Sequence, residues 1–232
     1  MEKKIIKVAY NKHTLVADIC PVGSIPKVFC MHGAGSSYRQ IYDSLRAILL
    51  ENNISSCALD FLGHGESDGN IKDSSLKSRT EQVIAIIKEA RAVEPLILIG
   101  SSMGGYNAIK LTEIYEVKLM ILIAPGVFDK NAYEIPFGDD FSSAIRRHRS
   151  WDDTDAWNIL NKYKGKILIV KGDKDDVIPA EIFQKIYDNS LNTGYREMIT
   201  ISNAPHKLMT FYFPEYPEDF KMVAGKIISL LK

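Results

Sequence analysis

At 232 residues the chain has single-domain length, and 46% hydrophobic with 25% charged residues is the balance of a soluble globular protein. Its 29 basic and 29 acidic side chains cancel, so no net field would collect nucleic acid or an anionic membrane surface. No apolar run approaches the ~20 residues of a membrane span, Met1–Val8 lacks an apolar signal core, and three scattered cysteines make neither a disulfide framework nor a cysteine-rich zinc site, so a cytoplasmic chain is expected.

Lys4–Val8 and Leu15–Ile19, separated by the polar Tyr10-Asn11-Lys12-His13, predict a β-hairpin at an antiparallel edge. Lys27–Met31 is a buried-looking strand followed by His32-Gly33-Ala34-Gly35. Ser37 and Gln40 have capping-box spacing and open a helix through Glu51, with Ile41, Leu45, Ile48 and Leu49 as its inward stripe. Ser55–Leu59 is the next strand and carries Asp60 at its end. A second capping box, Ser78 with Glu81, precedes Val83, Ile86, Ile87 and Ala90 at helical spacing. The strand Pro95–Ile99 runs into Gly100-Ser101-Ser102-Met103-Gly104-Gly105 and then into the helix-compatible Tyr106–Tyr115. Val117–Ala124 is dense in apolar residues, the pattern of an interior strand covered on both faces. After an irregular stretch, the strands Lys166–Val170 and Arg196–Ile201 flank a helix with Pro179 in its first turn and Ile182, Phe183, Ile186 and Tyr187 on one side. A last helix covers Glu218–Leu231. This alternation predicts an α/β fold, a mostly parallel central sheet with helices on both faces, in one domain over residues 1–232.

The chemistry concentrates in the loops after these strands. G-x-S-x-G at a strand-to-helix turn projects the Ser102 hydroxyl from the backbone, with glycines on either side relieving the crowding, and Ser102 is read as a nucleophile. A serine hydroxyl needs a base, and His206, in Asn203-Ala204-Pro205-His206-Lys207, is the only histidine after the acidic loop. That loop, Gly172 to Pro179, holds three candidate carboxylates to orient the imidazole: Asp173, Asp175 and Asp176. The Met103 N–H, at a helix N-terminus, is placed to receive negative charge on a substrate carbonyl oxygen. His32 and His64 have no second ligand at helical spacing and no cysteine partners, so neither a metal site nor a cofactor is expected.

These features resemble the α/β-hydrolase-fold serine hydrolases over nearly the whole chain, in the fold's own order of Ser, Asp, His. Asp60-Phe61-Leu62-Gly63-His64-Gly65-Glu66-Ser67 is similar to the D-x-x-G-H-G-x-S loop of lysophospholipase- and monoglyceride-lipase-like members. Those members usually carry His before the nucleophile, where this chain has Ser101, as in some small thioesterase-like hydrolases. The resemblance implies an α/β-hydrolase fold and selects Asp175, because G-x-x-D-x-x-[V/I]-P maps Gly172, Asp175, Ile178 and Pro179. It adds the Ala34 N–H as the second oxyanion-hole donor beside Met103. It also implies a small lid insertion at about 126–164, whose aromatics, Phe128, Trp151 and Trp157 among them, line the acyl pocket. The basic run Arg146-Arg147-His148-Arg149 reads as a solvated face neutralised by neighbouring aspartates, or as a contact for an anionic substrate group.

The expected activity is hydrolysis of carboxylic esters of small to medium acyl groups through an acyl-Ser102 intermediate. An acyl thioesterase or depalmitoylase would use the same triad, and a non-catalytic ligand-binding protein on this fold is the reading from another class. The expected partner is a small-molecule ester or thioester, with no nucleic acid and no stable membrane insertion. Oligomeric state has no signature in the sequence.

Overall fold

The hairpin predicted at the N-terminus pairs β1 (Lys4–Tyr10) with β2 (His13–Cys20), and β2 runs antiparallel to β4 (Ser56–Asp60). Beyond it, β3 (Val28–Met31), β4, β5 (Leu96–Ser101), β6 (Val117–Ile123), β7 (Lys166–Gly172) and β8 (Tyr195–Ile201) are mutually parallel. The eight strands make one sheet in the order β1-β2-β4-β3-β5-β6-β7-β8. The computed structural model describes residues 1–232.

The helices are α1 (Asp43–Glu51), α2 (Leu76–Glu89), α3 (Met103–Leu111), α4 (Asp139–Arg146), α5 (Ala156–Lys162), α6 (Ala180–Asp188), the single turn α7 (Phe213–Glu215) and α8 (Pro217–Leu231). Strand pleating divides the apolar residues between two layers. In β3, Phe29 and Met31 join the core beneath α2, α3 and α6, while Val28 and Cys30 join the one beneath α1 and α8. Both faces are therefore covered, and every residue of β5 is buried. No helix is long and apolar enough to cross a membrane.

Two helix starts differ from the sequence reading. The chain after Ser37 forms a short 3-10 turn, Arg39–Tyr42, before α1, and no side chain caps either piece. At α2 the capping box is Ser75 with Ser78, three residues before the expected one. The Ser75 Oγ accepts the Ser78 N–H (3.1 Å) and the Ser78 Oγ accepts the Ser75 N–H (2.8 Å), while Glu81 instead receives the Tyr10 hydroxyl (2.7 Å).

A buried charge cluster ties the antiparallel edge to the loop after β3. The Arg39 Nε donates to Asp18 (2.8 Å), its guanidinium also pairs with Asp60, and its backbone N–H donates to Asp60 (2.7 Å). Arg46 pairs with Asp18 as well, and all four side chains are no more than 2% exposed. Asp60 further receives the Glu66 N–H (3.0 Å), and the Ser67 hydroxyl donates to the Asp60 carbonyl (2.7 Å). The D-x-x-G-H-G-x-S stretch is thus a folded clamp around Asp60, and a Cβ at Gly65 would overlap that carboxylate.

Candidate active site

Ser102 stands between β5 and α3 with φ 49° and ψ −119°, a backbone conformation that side chains rarely adopt. Its surroundings hold it there. The Ser102 N–H donates to the Ile123 carbonyl (2.9 Å), and its own carbonyl accepts the Gly105 (2.9 Å) and Gly126 (3.0 Å) N–H groups. Gly104 lies so close to β3 that a Cβ would strike the Met31 carbonyl, and one on Gly100 would strike the Gly104 carbonyl. Glycines at these two positions are packing requirements of the turn.

The loops after β7 and β8 bring the partner groups. His206 Nε2 lies 3.0 Å from the Ser102 Oγ, and His206 Nδ1 lies 2.8 Å from Asp175 Oδ2. The other oxygen of Asp175 accepts the N–H groups of Val177 and Ile178, each at 2.9 Å. Burial pushes the Asp175 carboxyl up, but the hydrogen bond from His206 and those from Ile178 and Val177 outweigh it, so the group is held below the usual carboxylate range. Asp173 faces away and accepts the Asn203 N–H (2.7 Å), which fastens the acid loop to the histidine loop. Gly172 permits that approach, since a Cβ there would overlap the Ala204 carbonyl.

Opposite these loops lies Gly33-Ala34. A Cβ on Gly33 would come within 3.0 Å of the Ser102 Cβ, which measures how tightly this loop sits on Ser102. The Ala34 N–H makes no hydrogen bond within the protein, and the Met103 N–H, first in α3, has no carbonyl one turn back to receive it. Behind the loop, the buried His32 donates from Nδ1 to the Gly33 carbonyl (2.8 Å) and accepts the Phe61 N–H at Nε2 (3.2 Å). Arg79 donates to the same carbonyl from both terminal nitrogens (3.3 and 3.2 Å). His64, whose Nδ1 donates to the Leu62 carbonyl (3.1 Å), accepts Arg79 at Nε2 (3.3 Å). Burial, with Arg79 adding to it, pushes both imidazoles below the ordinary histidine value, so both are neutral at neutral pH. The two rings lie 4.9 Å apart, and no group of three or more His, Cys, Asp or Glu residues is arranged to hold a metal ion.

A cavity of about 200 Å³ opens beside Ser102 and His206, lined on one side by Ala34, Ser36, Ser37 and Ile41 and on the other by Lys207–Phe211. The structure does not bring Phe128, Trp151 or Trp157 to it. Phe128 is buried edge-on against Tyr106 (5.4 Å) and beside Phe141 (6.1 Å). The two tryptophans pack against the same core cluster, with the Lys185 ammonium 5.7 Å from the Trp157 ring. The reason is the path of the 126–164 segment, which lies along α2: the Lys77 N–H donates to the Tyr133 carbonyl (2.8 Å) and the Phe137 N–H to that of Ser74 (2.8 Å). Two members of the basic run are paired, Arg147 with the buried Asp129, and Arg149 with Asp152 (2.7 Å) and Glu181 (2.7 Å).

Sequence reading missed three contributors. Ser101 donates to the Tyr42 hydroxyl, which itself donates to the Met31 carbonyl (2.8 Å) and so locks the strand below Ser102. Arg79 did carry a signal, since it stands on the α2 stripe four residues before Val83, where an apolar residue belongs. The lining residues Leu208–Phe211 follow His206 in an irregular helical turn and carry no periodic signal.

The family model described as serine aminopeptidase, S33 matches residues 25–150, more than half of the chain. The palmitoyl-protein thioesterase ABHD10, mitochondrial, of Homo sapiens is 22% identical over 173 residues, which are 64% of this chain and 56% of that protein. The chain therefore spans little more than half the length of that relative. The Pyrococcus furiosus esterase Pf2001 superposes with a TM-score of 0.71 at 20% identity, covering 99% of this chain and 91% of that one. The esterase EaEST from Exiguobacterium antarcticum gives 0.73 at 18% identity, covering 98% and 100%. These superpositions show the α/β-hydrolase fold, the architecture expected from the strand and helix pattern.

Proposed function

We propose, because the chain belongs to the serine aminopeptidase S33 family of α/β-hydrolases, that it hydrolyses carboxylic esters of small to medium acyl groups through an acyl-Ser102 intermediate. The observation that carries this reading is the continuous path from Ser102 through His206 to Asp175, at 3.0 and 2.8 Å. His206 Nε2 takes the Ser102 proton as the oxygen attacks the carbonyl carbon, then returns it to the departing alkoxide. Asp175 holds the proton on Nδ1 and stabilises the imidazolium that forms. Water next enters, His206 deprotonates it, and the acyl group leaves as the free acid with Ser102 restored. The tetrahedral oxyanion is collected by the N–H groups of Ala34 and Met103, donors of a kind worth on the order of 10²–10³ in rate each. In this reading residues 1–232 form a single domain with the 126–164 segment as its insertion.

The cavity supports the acyl range. At about 200 Å³ it is smaller than the ~300–1,000 Å³ typical of larger ligand sites, and Ile41, Leu208 and Met209 give it apolar walls. Thioester hydrolysis is the second reading, favoured by the similarity to a palmitoyl-protein thioesterase, and the same attack expels a thiolate. The test is labelling with a fluorophosphonate probe, followed by kcat/KM on p-nitrophenyl esters, acyl thioesters and aminoacyl p-nitroanilides. Wild type should label and turn over the short esters, and Ser102→Ala should lose the label and roughly 10⁵–10⁶ of kcat. Turnover by Ser102→Ala close to wild type would remove Ser102 as nucleophile. A chain that neither labels nor turns over any of these substrates is a binding protein. A thioester preference moves the second reading ahead.

A further inference from the structure

We propose that Arg79 is a positioning residue for this reaction, a buried cation that polarises the Gly33–Ala34 peptide so that the Ala34 N–H binds the developing oxyanion more strongly. The inference rests on the reading above, in which Ala34 supplies one of the two oxyanion donors. Three buried arginines flank the active-site loop, and they differ in what they face. Arg39 and Arg46 meet the carboxylates of Asp18 and Asp60. Arg79 is 1% exposed and has no carboxylate partner. Its terminal nitrogens both converge on the Gly33 carbonyl, its Nε has no partner at all, and its plane lies over the Phe61 ring at 4.2 Å.

An isolated buried charge is costly, and an apolar side chain would complete the α2 stripe without that cost. Besides the neutral His64 Nε2, the guanidinium meets one acceptor, the Gly33 carbonyl, which both terminal nitrogens reach while Nε is left unsatisfied. That acceptor is chemically special. The Gly33 carbonyl and the Ala34 N–H are the two ends of one peptide group, and His32 adds a third N–H to the same oxygen. Donation to a peptide carbonyl draws electron density away from its nitrogen and makes the N–H a stronger donor. The groups facing Arg79 are the neutral His64 and His32 and the rings of Phe61 and Phe137, so no anion screens its charge. A ground-state ester carbonyl gains little from this, whereas a full oxyanion gains much, which is the difference that accelerates the chemical step.

The test compares Arg79→Met and Arg79→Lys with wild type in kcat and KM on p-nitrophenyl butyrate, and in the inhibition constant of a butyl trifluoromethyl ketone, which forms an oxyanion on the serine. Arg79→Met should lose roughly 10–100-fold in kcat, keep KM within about twofold, and weaken the ketone in proportion to kcat. Arg79→Lys, which retains the charge, should recover part of both losses. If Arg79→Met does not fold, Arg79→Gln, which drops the charge and keeps a donor, takes its place in the same comparison. Near-wild-type kcat and ketone affinity in the neutral variant would overturn the inference, as would a loss shared equally by KM, or an Arg79→Lys no better than the neutral variant. With Ser102→Ala inactive, such results would leave the hydrolase reading standing. A wild type that neither labels nor turns over ester would remove both.

Discussion

Two stretches of backbone lie beyond the C-terminal ends of the strands, and they use their apolar side chains in opposite ways. The 126–164 segment is dense in aromatics, but Phe128, Phe137 and Phe141 pack against one another and Phe128 against Tyr106, and the outer face is held by ion pairs from Arg149 and Lys185 to Asp152 and Glu181. The short stretch 207–212 carries only Leu208, Met209, Phe211 and Tyr212 as large apolar or aromatic side chains, and Lys207–Phe211 form a whole wall of the cavity beside Ser102. In the 126–164 segment the aromatics mark instead where a crossover buries itself against α2 and α3. Proximity to Ser102 follows instead from being chained directly to His206, which Asp175 holds, in a loop that Asp173 fastens at Asn203.

That contrast can be broken by substitutions that separate stability from selectivity. The largest effect is expected from Phe128→Ala, which empties a packed aromatic site and should cost about 3–5 kcal/mol, a Tm drop of roughly 10 °C for a chain of this size. The ratio of butyryl to acetyl kcat/KM should stay unchanged. Thermal unfolding and a two-substrate assay read both quantities, and a shifted ratio in a folded variant would put Phe128 back into the acyl pocket. Next, Met209→Trp should fill the cavity and lower kcat/KM for butyryl and hexanoyl esters roughly 10–100-fold, with acetyl ester affected far less. Equal losses for all three chain lengths would place the acyl group elsewhere. The smallest effect is expected from Phe211→Ala. This ring is 56% exposed at the cavity mouth, so its removal should raise KM by about two- to threefold and leave the Tm where it was. A kcat loss without a KM change would show that the ring orders the histidine loop instead.

Much of the fold was legible because the interior strands are short apolar runs and the loops after them have their own turn chemistry. The meeting of Ser102 with His206 was readable for the same reason, since each sits in a loop directly after a strand. Choosing among Asp173, Asp175 and Asp176 needed a template, because all three carboxylates stand within four residues and only three-dimensional partners tell them apart. The cavity wall was not legible, since Leu208–Phe211 line it through an irregular turn whose side-chain directions no simple period predicts. The aromatics at 126–164 misled for the opposite reason: hydrophobicity reports burial but not which neighbour does the burying. Arg79 was overlooked as the one charge on the buried face of α2, an inconsistency of the kind that marks function.

The backbone at Ser102 has a consequence outside the chemistry. A residue with a side chain held at φ 49° and ψ −119° makes the native state less favourable by about 1–3 kcal/mol, and glycine would relieve most of it. Natural domains have only about 5–15 kcal/mol of stability in total. The Ser102 side chain is therefore a standing load on the folded population, and selection for persistence alone would favour glycine at that turn. A serine there is maintained only while its hydroxyl is itself under selection.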